Sequence, residues 1–394
     1  MANSEEKLRN VLQRISKEQG YKDARIDIKP ISSGGANYTT CLYLATISES
    51  FKPNLNLFAK VANLGEEIRV QNEMMAKVYM KESVFYTELA VNFERLYQKN
   101  NVPAEHRLVI PKYYGHVLTR LEETLVLENL EASGFGNFDR MKTYNWEYAA
   151  ASVQQMARFH ALGLALRNEN PAEFEKMVAP FYVDILSKNG LMQIFLQQVI
   201  NNSCEVVTAE QADRVRKYFS QTEILAESMK RFMEDKTMLI HGDYRPSNLM
   251  QKRRNGKLQI VPLDFQTLKM GNPVSDFMYF IFSGSDEEFR RLHYQRLLDH
   301  YYTELSVALQ KLNIDVEKVY PRKNFDNDLI EVRMISSRPM ALILGLAMAP
   351  LVTVAPEDAP KIDANITEMV IKPNELAQER IRGIVRDFTR WGII

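Results

Sequence analysis

The sequence predicts an α+β fold with two lobes, the first rich in strands and the second mainly helical. Three strand-like runs fall within the first 61 residues, and two more precede residue 128 after one long amphipathic helix. From Tyr144 onward the pattern is mostly helical, apart from short hairpins around residues 237–265. A chain of 394 residues suits two lobes. The turn-rich stretch at residues 131–136 places the boundary, so we expect an N-terminal lobe of residues 1–130 and a C-terminal lobe of residues 131–394.

The elements of the first lobe follow from local pattern. Residues 4–19 predict a helix, because Ser4 can cap it, acidic residues occupy its first turn and its apolar residues share one face. A long helix that contains Glu73 and Glu88 follows the third strand. The predicted strands are residues 24–31, 39–48, 55–61, 113–118 and 124–127.

Composition excludes several classes of function. Lys plus Arg and Asp plus Glu number 50 each, so no net charge favours nucleic acid or an anionic membrane surface. Cys41 and Cys204 lie far apart and suit a reducing compartment. The polar N-terminus lacks a signal-peptide pattern, and the apolar segment at residues 340–355 is too short to span a membrane. We therefore expect a cytoplasmic protein with no membrane insertion, no nucleic-acid partner and no obligatory protein partner.

The segment His241-Gly242-Asp243, with Asn248 and the later Asp264-Phe265, carries the strongest chemical signal. In phosphoryl transfer one carboxylate orients or deprotonates the acceptor hydroxyl, while an amide oxygen and a second carboxylate hold the Mg²⁺ that bridges the nucleotide phosphates. Strand signals precede both halves, and Asn255-Gly256 predicts the tight turn between them. Each residue alone could be a polar turn. Together the spacing predicts Asp243 as the catalytic base and Asn248 and Asp264 as the magnesium ligands.

Lys60 emerges from an apolar strand, where its ammonium group needs an anion. Nucleotide phosphates and a helix carboxylate would supply one. Glu88 is the predicted carboxylate partner, with Glu73 on the same long helix as the alternative.

Two further segments could contact a nucleotide through their backbone. Gly34 and Gly35 join two strands, where they could cover phosphate oxygens or simply form a hairpin turn. Their position before the strand that leads to Lys60 favours the first interpretation. Glu128 and Leu130 follow an apolar strand, where a crossover would offer backbone groups to an adenine edge.

Two polar residues, His160 and Asp276, are expected to have mainly structural roles. His160 lies on a strongly apolar helix and is expected to be a core histidine hydrogen-bonded to the active-site loop. Asp276 is expected to cap a helix or to brace the loop.

In this order the motifs resemble the ecdysteroid kinase-like family, a branch of the choline kinase and aminoglycoside phosphotransferase group with a bilobal protein-kinase-like fold. The resemblance implies the roles given above for Lys60, Glu88, Asp243, Asn248 and Asp264, with ATP and Mg²⁺ as cofactors. It also implies that Asp276 braces the catalytic loop. The sequence departs from the family at Arg245, where a tryptophan is common; the arginine could contact substrate or pair with a neighbouring carboxylate. The motifs that carry the resemblance are Lys60, Phe85-x-x-Glu88, residues 125–130, residues 159–162, His241-Gly242-Asp243-x-x-x-x-Asn248 and Asp264-Phe265-Gln266.

The resemblance implies a small hydroxylated acceptor, with ecdysteroids as the best-known case. Aromatic and methionine residues of the second lobe could line an apolar pocket, although such residues are more often core. Choline-like, antibiotic or xenobiotic acceptors are alternatives, as is a catalytically silent nucleotide-binding protein. A peptide acceptor is disfavoured, because Asp264-Phe265-Gln266 is followed at once by residues 271–277 without an A-P-E motif. The residues considered for the pocket are Phe181, Tyr182, Met270, Phe277, Met278, Tyr279, Phe280, Tyr301 and Tyr302.

Overall fold

A five-stranded antiparallel sheet forms the N-terminal part of the chain, with the strand order β1-β2-β3-β5-β4. The computed structural model describes residues 2–31, 40–63, 65–71, 73–181, 191–220, 230, 234–330, 338–354 and 371–394. The α+β class is therefore confirmed, whereas the lobe boundary at residue 130 stays a prediction. The strands of this sheet are β1 Arg25–Ile31, β2 Thr40–Glu49, β3 Lys52–Ala62, β4 Tyr113–Val117 and β5 Thr124–Glu128.

Helix α1, Ala2–Glu18, covers one face of the sheet, as its pattern predicts. Leu12 and Ile15 of this helix are fully buried in the same apolar cluster as Ala59 of β3. Side chains alternate between the two faces of a strand, so Lys60 points to the opposite face, away from α1. The helix and the alternation of β3 together direct Lys60 toward the rest of the molecule.

The predicted long helix is a series of connected helical segments. Phe85 lies in a π-helical turn of this series, and its ring stacks on Phe265 with 3.5 Å between centroids. Since Phe265 follows Asp264 directly, this stacking joins the helix to the segment that contains Asp264. The segments are α2 Glu66–Gln71, α3 Glu73–Val84, the π-helical turn Phe85–Leu89 and α4 Ala90–Lys99.

Short strands within the helical C-terminal part position the chemical residues. The hairpin of β8 and β9 turns at Asn255 and Gly256, which have φ of 51° and 76°, as a two-residue hairpin turn requires. Strand β7 pairs instead with β10, so the chain before His241 is held beside the chain after Asp264. These strands are β6 Gly136–Asn137, β7 Met238–Ile240, β8 Leu249–Arg254, β9 Lys257–Pro262 and β10 Lys269–Gly271.

Helices make up most of the remaining described chain and surround one large apolar core. Helix α5 lies against both α10 and β7, so it connects this core to the strand that precedes His241. The helices are α5 Trp146–Glu169, α6 Pro171–Val178, α7 Leu191–Glu205, α8 Ala209–Phe219, α9 Pro273–Gly284, α10 Glu287–Lys311, α11 Val316–Val319, α12 Arg322–Ile330, α13 Arg338–Thr353 and α14 Glu375–Arg390.

Candidate active site

Lys60 is the centre of a buried ion cluster. Its Nζ lies 2.9 Å from each carboxylate oxygen of Glu82 and 2.5 Å from Oδ1 of Asp264. The side chains of Lys60, Glu82 and Asp264 are 12%, 5% and 17% exposed. Residues from β3, α3 and the segment after β9 thus converge on one ammonium group, which satisfies the need for an anion that the sequence indicated.

The carboxylate that pairs with Lys60 is Glu82, so the prediction of Glu88 for this role is wrong. Glu88 is exposed. Six residues advance a helix by about one and two-thirds turns, which places the two glutamates on different faces. Glu73, the alternative, is the first residue of α3, and its side chain lies outside the described part of the structure.

The sequence carries a signal that identifies Glu82. Val78, Glu82, Phe85 and Leu89 are all buried and recur at the spacing of one helix face. Glu82 is therefore a carboxylate within an apolar stripe, and such a group needs a cation. Glu88 lies outside that stripe.

The three groups of the cluster influence one another's pKa. Burial opposes the charge of Lys60, but Asp264 and Glu82 outweigh it and raise the lysine pKa. Burial also opposes the ionised form of Asp264, yet Lys60 holds the pKa of this carboxyl below its ordinary value. Burial raises the pKa of Glu82, with Lys60 only partly offsetting it. Of the two carboxylates, Asp264 lies nearer to the Lys60 ammonium group, at 2.5 Å.

Asp276 holds the start of the loop that contains Asp243. Its Oδ2 accepts a hydrogen bond from the His241 N–H at 2.7 Å, and its Oδ1 accepts one from the Gly242 N–H at 2.8 Å. The His160 ring lies 3.2 Å from Oδ2. Burial opposes the charge, but His160 and the loop N–H groups lower the pKa of Asp276. Asp276 is thus the loop-bracing residue; Asn272, not Asp276, caps α9.

His160 is a core histidine, as expected, with no exposed surface. Its second ring nitrogen lies 2.7 Å from the Tyr301 hydroxyl. Its connection to the loop runs through Asp276 and is therefore indirect.

Gly242 is required by the shape of the loop. Its φ is +80°, and a Cβ at this position would lie 2.5 Å from the Thr267 carbonyl oxygen. The Thr267 hydroxyl donates a hydrogen bond to the His241 carbonyl at 2.8 Å. Only glycine allows the two segments to approach this closely.

The two carboxylate oxygens of Asp243 have different surroundings. Oδ2 accepts hydrogen bonds from Asn248 Nδ2 at 2.9 Å and from Arg245 Nε at 3.3 Å. Oδ1 is buried and lies 3.1 Å from Arg245 Nε, and within the described residues it accepts no hydrogen bond of regular geometry. The carboxylate is thus held mainly through Oδ2.

Asn248 and Asp264, the predicted magnesium ligands, lie on neighbouring backbone segments. Leu249 pairs with Pro262, and the Leu263 N–H donates to the Asn248 carbonyl at 2.9 Å, so the chain positions of the two residues are adjacent. The Asn248 amide nitrogen is bonded to Asp243, which directs the amide oxygen elsewhere. Carboxylate and amide oxygens suit Mg²⁺, which typically takes few protein ligands and completes its shell with water and phosphate.

Asp264 also has an uncommon backbone conformation. Its φ and ψ are 65° and 59°, in the left-handed region that residues other than glycine seldom adopt. Such conformations cluster at functional sites. Within the described residues there is no group of three or more His, Cys, Asp or Glu side chains that could hold a metal.

The nucleotide-binding roles of several residues remain predictions. Gly34 and Gly35 lie outside the described residues. The Glu128 carboxylate accepts hydrogen bonds from the Lys112 N–H at 3.3 Å and the Ser133 hydroxyl at 2.8 Å, and Leu130 is buried. These contacts support the crossover but leave its role toward a nucleotide untested.

The aromatic residues considered for an apolar pocket are mostly core. Tyr279 differs, since it is partly exposed and lies beside the loop that contains Asp243. Burial and the neighbouring Asp243 raise the pKa of its hydroxyl. Tyr182 lies outside the described residues. The buried members of the set are Phe181, Met270, Phe277, Met278, Phe280, Tyr301 and Tyr302.

The α+β fold, the lysine–carboxylate cluster and the braced loop define a kinase-like protein. The model of the ecdysteroid kinase-like family matches residues 34–314, which is most of the chain. The chain belongs to this family.

One curated relative is named an uncharacterized oxidoreductase, dhs-27, of Caenorhabditis elegans. It is 24% identical over an alignment of 217 residues, and the match covers 51% of this chain and 25% of that protein. The chain thus matches about a quarter of the length of that relative.

Solved structures of small-molecule kinases are similar over most of the chain. A GDP complex of aminoglycoside 2'-phosphotransferase-IIIa has 12% identity and a TM-score of 0.39, covering 85% of this chain and 95% of its own. A microcompartment-associated aminopropanol kinase has 13% identity and a TM-score of 0.37, covering 86% and 96%. A glucosamine kinase in complex with glucosamine, ADP and inorganic phosphate has 13% identity and a TM-score of 0.34, covering 86% and 82%. These TM-scores indicate a loose superposition.

No helix among the described residues combines the length and the apolar character that crossing a membrane requires.

Proposed function

We propose that this protein is an ATP- and Mg²⁺-dependent kinase that phosphorylates a hydroxyl group of a small molecule. The observation that carries the proposal is the buried Lys60–Asp264 pair, which the β8–β9 hairpin connects to the braced loop that contains Asp243. A carboxylate that can orient a hydroxyl group and a cation that can bind phosphate are the two halves of a phosphoryl-transfer site.

Each side chain has a task in this reaction. Asp243 accepts or orients the proton of the acceptor hydroxyl through Oδ1, while Asn248 fixes the carboxylate through Oδ2. Lys60, held by Glu82, binds phosphate oxygens of the nucleotide. Bound Mg²⁺, held by Asn248 and Asp264, would neutralise phosphate charge. Catalysis then consists mainly of positioning and charge stabilisation.

The acceptor we propose is an ecdysteroid or a similar apolar, steroid-like compound. Membership of the ecdysteroid kinase-like family supports this choice. The aromatic residues give it little support, because most of them are core. A cytoplasmic location remains part of the proposal, since neither Cys41 nor Cys204 forms a disulfide.

The test is Mg²⁺-dependent ATP consumption with a panel of hydroxylated small molecules, ecdysteroids first. Asp243→Asn is the matched control, because it keeps the shape of the side chain and removes the base. We expect turnover with one acceptor class, lost by about a thousandfold or more in the variant, with nucleotide affinity retained.

The outcomes separate the parts of the proposal. Turnover with choline-like, antibiotic or xenobiotic hydroxyls only would replace the acceptor and keep the kinase. Nucleotide binding without turnover on any acceptor would favour a silent binding protein. Equal activity of Asp243→Asn and the wild type would refute the assignment of the base.

A further inference from the structure

Helix α9 runs alongside the loop of the proposed base. Asp276 in its first turn accepts hydrogen bonds from the first N–H groups of the loop. Four residues further on, the Phe280 ring contacts the Tyr244 ring edge-on, with 6.0 Å between centroids. After another four residues, Gly284 lies so close to Pro246 that an added Cβ would come within 2.4 Å of its ring. The helix and the loop therefore advance side by side in the same direction.

Tyr279 is the one residue of α9 that reaches the surface of the protein. The other residues of this helix are buried. Tyr279 follows Asp276 by three residues, and residues three apart lie next to each other on a helix surface. Burial and the charge of Asp243 raise the pKa of the Tyr279 hydroxyl. The register of helix and loop and this electrostatic effect agree in placing the tyrosine where α9 opens to solvent beside the proposed base.

The ring of Tyr279 has no evident task in holding the loop. Asp276 braces the start of the loop, and Asn248 fixes Oδ2 of Asp243 at 2.9 Å. An aromatic ring that is partly exposed to water gains free energy when an apolar molecule covers it. In the proposed reaction Asp243 orients the acceptor hydroxyl, so the carbon atoms that carry this hydroxyl must lie next to the ring.

The charge beside the ring favours a neutral acceptor. An aromatic ring can also bind a cation, as in sites for quaternary ammonium groups. Arg245, however, is 9% exposed and pairs with Asp243, with 3.1 Å between Nε and Oδ1. Of the two alternatives for this arginine, the structure shows the pairing with a neighbouring carboxylate. Because the guanidinium already balances the carboxylate, this region attracts an ammonium group less than an unpaired aspartate would.

We propose that Tyr279 is a specificity-determining residue of the acceptor site, and that its ring is the apolar wall against which a neutral acceptor packs beside Asp243. This inference rests on the proposed kinase function and adds to it a residue that selects the acceptor.

The test measures KM for the acceptor and KM for ATP in the full-length protein with Mg²⁺. The acceptor is ecdysone, or the neutral compound of the panel with the highest turnover if ecdysone is not used. We expect Tyr279→Ala to raise KM for the acceptor by at least about tenfold, because the apolar contact of the ring is lost. KM for ATP should change by less than about twofold, since the ring lies on the acceptor side of the site.

Tyr279→Phe is the matched control, because it keeps the ring and removes the hydroxyl group. Its KM for the acceptor should stay within about threefold of the wild type. Should Tyr279→Ala fail to fold, Tyr279→Leu replaces it, since leucine fills part of the space without a flat ring. Its KM for the acceptor is expected to be raised by about threefold to tenfold.

Four outcomes would overturn the inference, and they differ in what they leave standing. An unchanged acceptor KM in Tyr279→Ala, or equal losses in Tyr279→Phe and Tyr279→Ala, would show that the ring is not the wall, while the kinase remains. Turnover of cationic compounds such as choline only would remove the neutral acceptor and keep the kinase. A wild type without turnover on any acceptor would remove the proposed function and this inference with it.

Discussion

Asp264 and Asp276 are two buried carboxylates that flank the same loop, yet their surroundings differ. Both oxygens of Asp276 accept hydrogen bonds from backbone N–H groups, and the His160 ring contacts one of them. Asp264 contacts side chains, Lys60 through Oδ1 and Gln266 through Oδ2. The Asp276 side chain is 1% exposed and that of Asp264 is 17% exposed.

The difference separates a carboxylate that braces the loop, Asp276, from one that we propose as a metal ligand, Asp264. Backbone donors cannot leave Asp276 without unfolding the loop, so this carboxylate has no capacity for a ligand. The side-chain partners of Asp264 can rearrange when phosphate and metal arrive. Burial alone therefore does not distinguish the two roles; the kind of donor does.

Asp264→Asn is expected to have the largest effect. We expect ATP turnover to fall by about a thousandfold, because a metal-binding carboxylate is lost. The free energy of unfolding should change by less than about 1 kcal/mol, since Lys60 keeps its pair with Glu82. Turnover assays and urea unfolding measure the two quantities. A large loss of stability with retained turnover would show that Asp264, like Asp276, has a structural role.

The next effect distinguishes the two glutamates of the long helical series. Glu82→Gln should lower turnover by about tenfold to a hundredfold, because Lys60 loses the carboxylate that positions it. Glu88→Gln is the matched control, with an exposed side chain and an expected change below about twofold. Assays at saturating ATP compare the two variants. A larger effect of Glu88→Gln would restore the original prediction.

Asp276→Asn should act mainly on stability. An asparagine offers one accepting oxygen, so its amide nitrogen would face a loop N–H that the carboxylate now accepts. We expect the free energy of unfolding to fall by about 3 kcal/mol. Urea unfolding at neutral pH measures this loss, and an unchanged midpoint would show that the brace is unnecessary.

The stability lost in Asp276→Asn should depend on pH. The pKa of Asp276 is lower in the folded protein than in the unfolded chain, so its stabilisation is present above the unfolded pKa. It is lost as the pH falls below about 4 toward the lowered folded pKa. The stability gap between the wild type and Asp276→Asn should therefore narrow in acid. A stability difference that widens in acid would show that Asp276 does not brace the loop in its ionised form.

Tyr301→Phe is expected to have the smallest effect. The tyrosine hydroxyl lies 2.7 Å from the His160 ring, which in turn contacts Asp276. Loss of this buried hydrogen bond should cost about 1 kcal/mol of unfolding free energy and leave turnover unchanged. Thermal and urea unfolding would detect it. A fall in turnover without a fall in stability would give His160 a role beyond the core.

Patterns along the chain predicted much of the fold and part of the site. Helix α1 and the five strands of the first sheet match their predicted ranges closely, because each depends on a local periodicity. The turn at Asn255 and Gly256 depends on φ preferences of single residues. The prediction that Glu88 pairs with Lys60 was wrong because two glutamates on one helix have the same local preferences. Only the apolar stripe around Glu82 distinguishes the two.

The sequence by itself determined the α+β class, the order of the chemical motifs and the placement of Lys60 on an apolar strand. These follow from residue type, spacing and strand alternation, which act over a few residues. Tertiary structure decided that Arg245 lies against Asp243 and that Asp276 receives two backbone N–H groups, and it brought Glu82, rather than Glu88, to Lys60. These contacts depend on helix rotation and on packing between distant segments, where a shift of one residue exchanges a buried partner for solvent.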